Sequence, residues 1–342
     1  MAVIIALVAV TILTILAGAF ALSMKVETHL AAYSNNDEKL LWMGRAGMQL
    51  ACLKLTQENN LPYDSMNMRW AGGPGIGAIT NADPIPDPYP LGDGSITVKI
   101  IDLERKININ AAAPDLLQSV LQKQNVDASQ ISVISDCIAD WIDPDDVTRP
   151  AGAESDYYQG KPIPYNAKNA PMDDISELML IKGITPKMFD GSGQENTANG
   201  GIPHHQLGVG HTFSGEADYT FTDVDVFTPF GSGKVNINTA SSAVLQTLPM
   251  MDSDTADAIV RFRAGPDGQE GTDDDTPFQN VNMISASGIP QQNIGPIMQF
   301  ITTKSTTFEV HVTATIGDQK REFIGIIFRN GRTPQVVEFY WQ

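Results

Sequence analysis

From Ala2 to Leu22 the chain runs for 21 residues without a charge, and Thr11 and Thr14 are its polar side chains. At ~1.5 Å per residue such a helix covers the ~30 Å hydrocarbon core of a bilayer, so the segment can cross a membrane. The small-residue run Ala17 to Ala19 has the look of a signal-peptide cleavage site, but no break follows it. Instead the pattern continues without proline as far as Leu61, with Leu41, Met48, Cys52 and Leu55 falling at helical intervals along one face. The expectation is one unbroken helix, of which residues 1–23 lie in the membrane and 24–60 outside it.

A helix of about 55 residues is ~80 Å long, well beyond what a bilayer needs, so its distal half must pack on a water-soluble domain. In this it resembles a pilin-type subunit. Prepilin peptidases remove a short charged leader and expose an apolar residue, and the resemblance implies that Met1 is the first mature residue. Most pilins and pseudopilins then carry glutamate at the fifth position, where it pairs with a neighbouring subunit's amine; here that position holds Ile5.

Beyond the helix, Leu61 to Gly94 holds six prolines and reads as an irregular connection. Ser95 to Asp102 alternates, with Ile96, Val98 and Ile100 on one face, which predicts a half-buried strand. Helical patterning fills much of residues 111–190, and Gly191 to Gly233, with nine glycines and no lysine or arginine, reads as a long acidic loop. Thr307 to Thr315, Lys320 to Arg329 and Val336 to Trp341 read as three strands joined at G-D and N-G turns. The fold class expected is α+β: a long transmembrane and pilin-type helix, an antiparallel sheet built from residues 61–105 and 301–342, and a large, mostly helical insertion over 106–300.

An internal repeat lies inside that insertion. K-I-N-I-N-A-A-A-P-D-L-L at Lys106 to Leu117 matches K-V-N-I-N-T-A-S-S-A-V-L at Lys234 to Leu245. In each copy a short extended piece is expected to deliver a polar cap, Asn110 or Thr239, to the helix that follows. The second copy continues through Arg263 in a pattern that resembles the helix-hairpin-helix units of competence DNA receptors. Such units grip phosphate through a glycine-rich hairpin with bases nearby. Met250, Met251, Asp252, Ser253 and Asp254 occupy the hairpin here, without glycine and with two acids, so the unit reads as packing. The balance of 40 acids against 22 bases, net −18, also argues against a nucleic-acid partner.

The most specific resemblance is carried by C-I-A-D-W-I-D-P-D-D at Cys137 to Asp146, G-A-E-S-D-Y-Y at Gly152 to Tyr158, and D-D-I-S-E-L-M-L-I-K-G-I-T-P-K-M-F at Asp173 to Phe189. In order and spacing these are similar to the signature of type II secretion minor pseudopilins of the K class, and Ile5 in place of glutamate resembles that class too. The resemblance implies a single-pass inner-membrane protein with its bulk in the periplasm. It also implies partners among the I-like and J-like minor pseudopilins and the major pseudopilin, and a tip position that initiates or caps a pseudopilus for export of folded proteins. The departures from the pattern are the Gly191 to Gly233 loop and Gly265 to Asp275. The rival readings are a DNA-uptake or type IV pilus-like subunit using the helix-hairpin-helix unit, and a membrane-anchored adhesin of another pathway.

Carboxylates concentrate in two places. Asp143 and Asp145 stand two apart, and Glu154 follows Asp143 by eleven residues, the offsets of first, third and twelfth ligands in an EF-hand. Thr148 holds the position that an EF-hand gives to glycine, so the loop is not one, but with Asp156 the same acids form a candidate site for a hard cation. Gly265 to Asp275 packs five acids among three glycines, and Asp267, Asp273 and Asp275 are its candidate ligands. The K-class resemblance implies that the cation is Ca2+. Neither a G-x-S-x-G elbow, an H-E-x-x-H pair nor a P-loop is present, and the expectation is a protein that is not an enzyme. Cys52 and Cys137 form no C-x-x-C pair and read as free thiols. His204, His205 and His211 sit in the glycine-rich stretch and read as a solvated loop rather than a metal site.

Overall fold

The computed structural model describes residues 2–76, 85–190, 223–289, 291–331 and 333–341. The three clustered histidines and most of the Gly191 to Gly233 loop fall outside the described residues. Helix α1 (Ala2–Gln57) is a single element of 56 residues. It ends four residues before Leu61, in turns closed by Asn59 N–H to Thr56 O and Leu61 N–H to Glu58 O. Its first part, Ala2–Thr28, is long and apolar enough to span a membrane, and none of it is buried against the rest of the protein. Further along, Leu40, Met43, Met48, Ala51, Cys52 and Leu55 form a buried stripe along one face, with Leu41 only partly covered beside it.

After α1 come β1 (Tyr89–Leu91), inside the proline-rich stretch that patterning assigned to irregular chain, and β2 (Gly94–Asp102). The chain then leaves the sheet. It forms β3 (Ile107–Asn108), α2 (Pro114–Lys123), α3 (Ala128–Ile142), α4 (Ser155–Gln159), a 3-10 turn at Ile175–Leu180, α5 (Pro186–Asp190), α6 (Asp223–Val226), β4 (Phe227–Thr228) and β5 (Val235–Asn236). There follow α7 (Ser242–Gln246), α8 (Ser253–Arg263), a 3-10 turn at Val281–Ser287, α9 (Gln291–Ile297) and β6 (Ile301–Thr302). The chain re-enters the sheet as β7 (Thr307–Ile316), β8 (Gln319–Asn330) and β9 (Thr333–Trp341).

The five-stranded sheet has the order β1-β2-β7-β8-β9 and is antiparallel throughout. Asp102 is registered against Phe308, so everything between them is an excursion that leaves one strand and returns on its neighbour. Two hydrophobic cores result. One joins the α1 stripe to Ile96, Val98, Ile100, Phe308, Val310, Val312 and Phe323. The other lies within the excursion and runs from Ile107 to Ile301.

The repeated asparagines brace the second core rather than cap helices. Asn110 accepts from Met172 N–H (2.8 Å) and donates to Met172 O (2.9 Å); Asn238 treats Phe278 in the same way, at 2.8 and 2.9 Å. Each side-chain amide satisfies both polar groups of one buried extended residue. The caps lie further on: Ala113, with no side-chain bond, precedes α2 behind Pro114, and Ser241 accepts from Val244 N–H at α7. The expectation of Asn110 or Thr239 as caps is therefore corrected, because each is drawn into a longer-range bond. In the second helical pair, Met250 takes the left-handed turn at φ 62 and Asp252 caps α8.

The two cores meet at a buried polar knot. Asp102 Oδ1 accepts from Glu104 N–H, and its Oδ2 accepts from Thr239 Oγ1 (2.6 Å), Ser305 Oγ (2.7 Å) and Asn236 Nδ2 (3.2 Å). Asp64 accepts from Ser305 N–H and from the buried Arg329, whose guanidinium lies 4.8 Å over the Phe308 ring. Glu104 ties Ser232 and Thr306. Burial, followed by the neighbouring Glu104, pushes the Asp102 carboxyl up to about 7.

Contact between α1 and the sheet depends on two glycines. A Cβ on Gly47 would stand 2.3 Å from Val312 Cγ1, and one on Gly44 would stand 2.5 Å from the Phe323 ring. Both side chains met are wholly buried. Gly47→Val should therefore lower stability by about 1–3 kcal/mol through overpacking, seen as a lower urea midpoint for the full chain in detergent. An unchanged midpoint would mean that helix and sheet do not meet at this spacing.

Candidate functional site

The first acidic loop follows the C-terminal end of α3. Asp140, fully buried on the last turn of that helix, accepts from Arg149 N–H, from Ala153 N–H (2.9 Å) and from the Arg149 guanidinium (2.7 Å). Arg149 also reaches Asp143. Gly152 is needed where the loop turns back, because a Cβ there would stand 1.9 Å from Asp140 Oδ2. This wrapping carries Glu154 inward to 3% exposure, and the Trp141, Tyr158 and Tyr165 rings pack edge-on and stacked nearby.

Glu154 arrives without a partner. Neither of its carboxylate oxygens has a hydrogen bond among the described residues, and the same holds for Asp143 Oδ1 and Asn169 Oδ1, all of them buried. Burial first, then Asp140, Asp143, Asp146 and Asp145 in that order, push the Glu154 carboxyl up to about 7. Asp146 accepts from Ser155 Oγ (3.2 Å) and Asn169 Nδ2 (2.9 Å), which fixes Asn169 in a left-handed backbone conformation at φ 50.

Of the residues that sequence spacing singled out, Asp143, Asp145 and Glu154 share this electrostatic neighbourhood. Asp156 lies on the exposed first turn of α4 and is not among the four acids that raise Glu154 most. Asp140, Asp146 and Asn169 were not foreseen. Asp146 lies in the same D-P-D-D run, whereas Asn169, fifteen residues beyond Glu154, leaves no signal in spacing. Among the described residues no three acids, histidines or cysteines close into a ready cage. Glu154, Asp143 and Asn169 nevertheless each leave a buried oxygen without a hydrogen-bond partner, the kind of donor that a hard cation takes.

The second acidic loop is built differently. Asp274 accepts from Asp267 N–H (3.0 Å) and Thr272 Oγ1 (2.7 Å), Asp275 from Gly271 N–H (2.8 Å), and Asp267 from Gln269 N–H (2.7 Å). Glu270 pairs with the buried Arg263, which donates to Ile237 O. Hydrogen bonds from Thr272 and from the Asp267 main chain hold the Asp274 carboxyl below the usual range. Asp273 and Asp275 line a cleft of about 520 Å³ with Tyr63 and Phe262, while Asp267 lies outside its lining. No orphaned buried oxygen is found in this loop among the described residues. Cys52 and Cys137 are both buried free thiols.

Residues 98–191 match the family model described as T2SSK_1st: Type II secretion system (T2SS), protein K. Type II secretion system protein K of Pectobacterium carotovorum subsp. carotovorum is 28% identical over 116 residues, 30% of this chain and 35% of that relative. Its counterpart in Aeromonas hydrophila is 25% identical over 120 residues, 30% of this chain and 36% of that relative. The match thus spans little more than a third of each relative's own length. A chain of the crystal structure of the GspK-GspI-GspJ complex from the enterotoxigenic Escherichia coli type 2 secretion system superposes with a TM-score of 0.63. That likeness covers 91% of this chain and 99% of the other at 17% identity, and it concerns the fold.

The chain as a whole is a membrane-length helix that becomes the spine of an antiparallel sheet, with a helical block inserted between adjacent strands. Within that architecture, residues 98–191 carry the likeness to type II secretion system protein K. Nothing in these likenesses supports the DNA-uptake reading, and the glycine-free hairpin around Met250 gives the physical reason.

Raised acid groups have a definite sign. Because the folded-state value for Glu154, about 7, lies above its ordinary 4.5, its contribution to stability is fully present below 4.5 and is lost as pH rises through about 7. In chelator, the stability of wild type relative to Glu154→Gln should therefore fall between pH 5 and pH 8. A flat difference across that window, read from thermal midpoints, would remove Glu154 as a buried uncompensated charge.

Proposed function

We propose that this chain is the tip subunit of a type II secretion pseudopilus, initiating and capping the fibre that drives export of folded proteins across the outer membrane. The observation that carries the reading is where the insertion sits. Met43, early in the soluble part of α1, packs beside Gly94 and Ile316 at one end of the sheet, while the segment just after α1 meets Ser305 and Thr303 at the other. The helical block springs from that second end, between Asp102 and Phe308, farthest along the spine from the membrane span. A bulky block at the distal pole obstructs addition of a further subunit above it.

On this reading α1 anchors the chain in the inner membrane, and residues beyond the span lie in the periplasm. The sheet with α1 forms the pilin-type domain, and residues 106–300 form the cap. I-like and J-like minor pseudopilins are the partners, by likeness to the complex from enterotoxigenic Escherichia coli, with the major pseudopilin below them. The chain acts by assembly and carries out no catalysis.

Calcium belongs to the same reading. Glu154, Asp143 and Asn169 would hold it, with Asp145 and Asp146 adding charge, and the ion supplies the positive charge that five neighbouring acids and one arginine lack. The ion then ties the end of α3 to α4 across the cap.

Size-exclusion chromatography with mass determination tests the assembly. The full chain in detergent, mixed with I-like and J-like pseudopilins of the same genome, should give one three-part complex. Three separate peaks would return the adhesin reading. Millimolar calcium should also raise the thermal midpoint of wild type and leave that of Glu154→Gln nearly unmoved; an equal rise in both would place the ion elsewhere.

A further inference from the structure

In a chain with 40 acids against 22 bases, one recess of about 240 Å³ is ringed by bases. It follows β2 and is lined by Lys54 of α1, by Arg69 and Trp70 in the turn beyond α1, and by Lys99 and Arg105. Two acids share the lining. Asp87 is exposed, and Asp102 is already committed to four donors in the polar knot. Arg69 lies beside Glu58. Lys54, Lys99 and Arg105 form no ion pair among the described residues.

The main chain supplies an independent observation. β1 covers β2 only along Gly94 to Ile96, whereas β2 continues to Asp102 with β7 on its other side. Over Thr97 to Ile101 the edge that faces away from β7 has no strand partner among the described residues. Strand alternation sets Lys99 on the opposite face from Val98 and Ile100, which pack in the core with α1, the helix that carries Lys54. Bases therefore flank the open edge on both faces of the sheet.

A single lysine on an edge strand commonly serves to discourage pairing. Four cations around a recess do more than discourage: they select an occupant of opposite charge, and a bare edge selects an extended one. We propose that the open edge of β2 accepts an extended, acid-rich segment of a partner polypeptide as an added strand. Its main chain pairs with Thr97 to Ile101, and its carboxylates lie against Lys54, Lys99 and Arg105.

The test uses the full chain in detergent micelles at low ionic strength and a fluorescein-labelled peptide, Ser-Asp-Val-Asp-Thr-Glu-Ser, read by anisotropy. Three comparisons accompany it: the same peptide with lysine at its acidic positions, the acidic peptide N-methylated at alternate amides, and inorganic phosphate as competitor. The acidic peptide should bind, with affinity falling as salt rises. The double substitution Lys99→Glu with Arg105→Glu should weaken binding by roughly tenfold or more, and both lysine and N-methylated peptides should fail. Equal binding by the double variant overturns the proposal. So does equal binding by the N-methylated peptide, which would leave charge without strand addition, or displacement by millimolar phosphate, which would make the recess a simple anion pocket. Circular dichroism of the double variant, whose altered positions are surface-accessible, confirms that any loss is not unfolding.

Discussion

The pairing of β2 with β7 governs the whole molecule. Placing Asp102 against Phe308 makes two strands that are far apart in sequence into neighbours, so the chain between them must form a body that starts and ends at one point. A loop of that length is entropically costly to close, and the cost rises only slowly with further length. What must be strong is the closure itself. The polar knot answers that need: Asp102 gathers four donors from the turn after β2, the second asparagine repeat and the approach to β7, while Arg329 and Asp64 lock the next strand to the segment beyond α1. A buried polar network of this kind punishes loss of any one member.

The consequence is a molecule with two cores and one joint. Each core is apolar within itself, and the polar contacts that cross between them are concentrated at the knot. Loop Ser232 and main-chain Thr306 both rest on Glu104, so the exit and return of the chain are tied to a single carboxylate beside Asp102. Two adjacent buried carboxylates with raised pKa values mean that the joint is held together against some electrostatic cost, which apolar burial in the flanking cores offsets.

Much of this was legible in the sequence because periodicity is a local property. The α1 stripe, the alternation in β2 and the three closing strands follow from side chains a few residues apart. β1 was missed because its prolines argue against a strand, and it survives only as a three-residue edge piece. The asparagine repeat was visible, but its purpose was not: the partners Met172 and Phe278 lie 62 and 40 residues away. The acidic loops show the same limit more sharply. Both read as dense runs of aspartate, yet one leaves Glu154 buried and unpartnered while the other distributes its carboxylates among local N–H groups and Thr272. Composition cannot separate these outcomes, because the difference lies in whether aromatic packing around Trp141 and Tyr158 draws the chain inward.

The direction of α1 then gives these parts their order. Its first part, long and apolar enough to span a membrane, is exposed; its middle packs beside Gly94 and Ile316, and the turn after it reaches the knot. One element thus sets the sheet beyond that apolar segment and the joint at its far end. From Met43 to Gln57 the helix rises ~20 Å, so the turn that reaches the knot lies about that far along the helix from the contact of Met43 with Gly94. Glycines at 44 and 47 keep the spine within touching distance of Phe323 and Val312, which makes the sheet and helix move as one body. Any force applied along the helix therefore arrives at the knot, and the closure between Asp102 and Phe308 is where the inserted block must resist it.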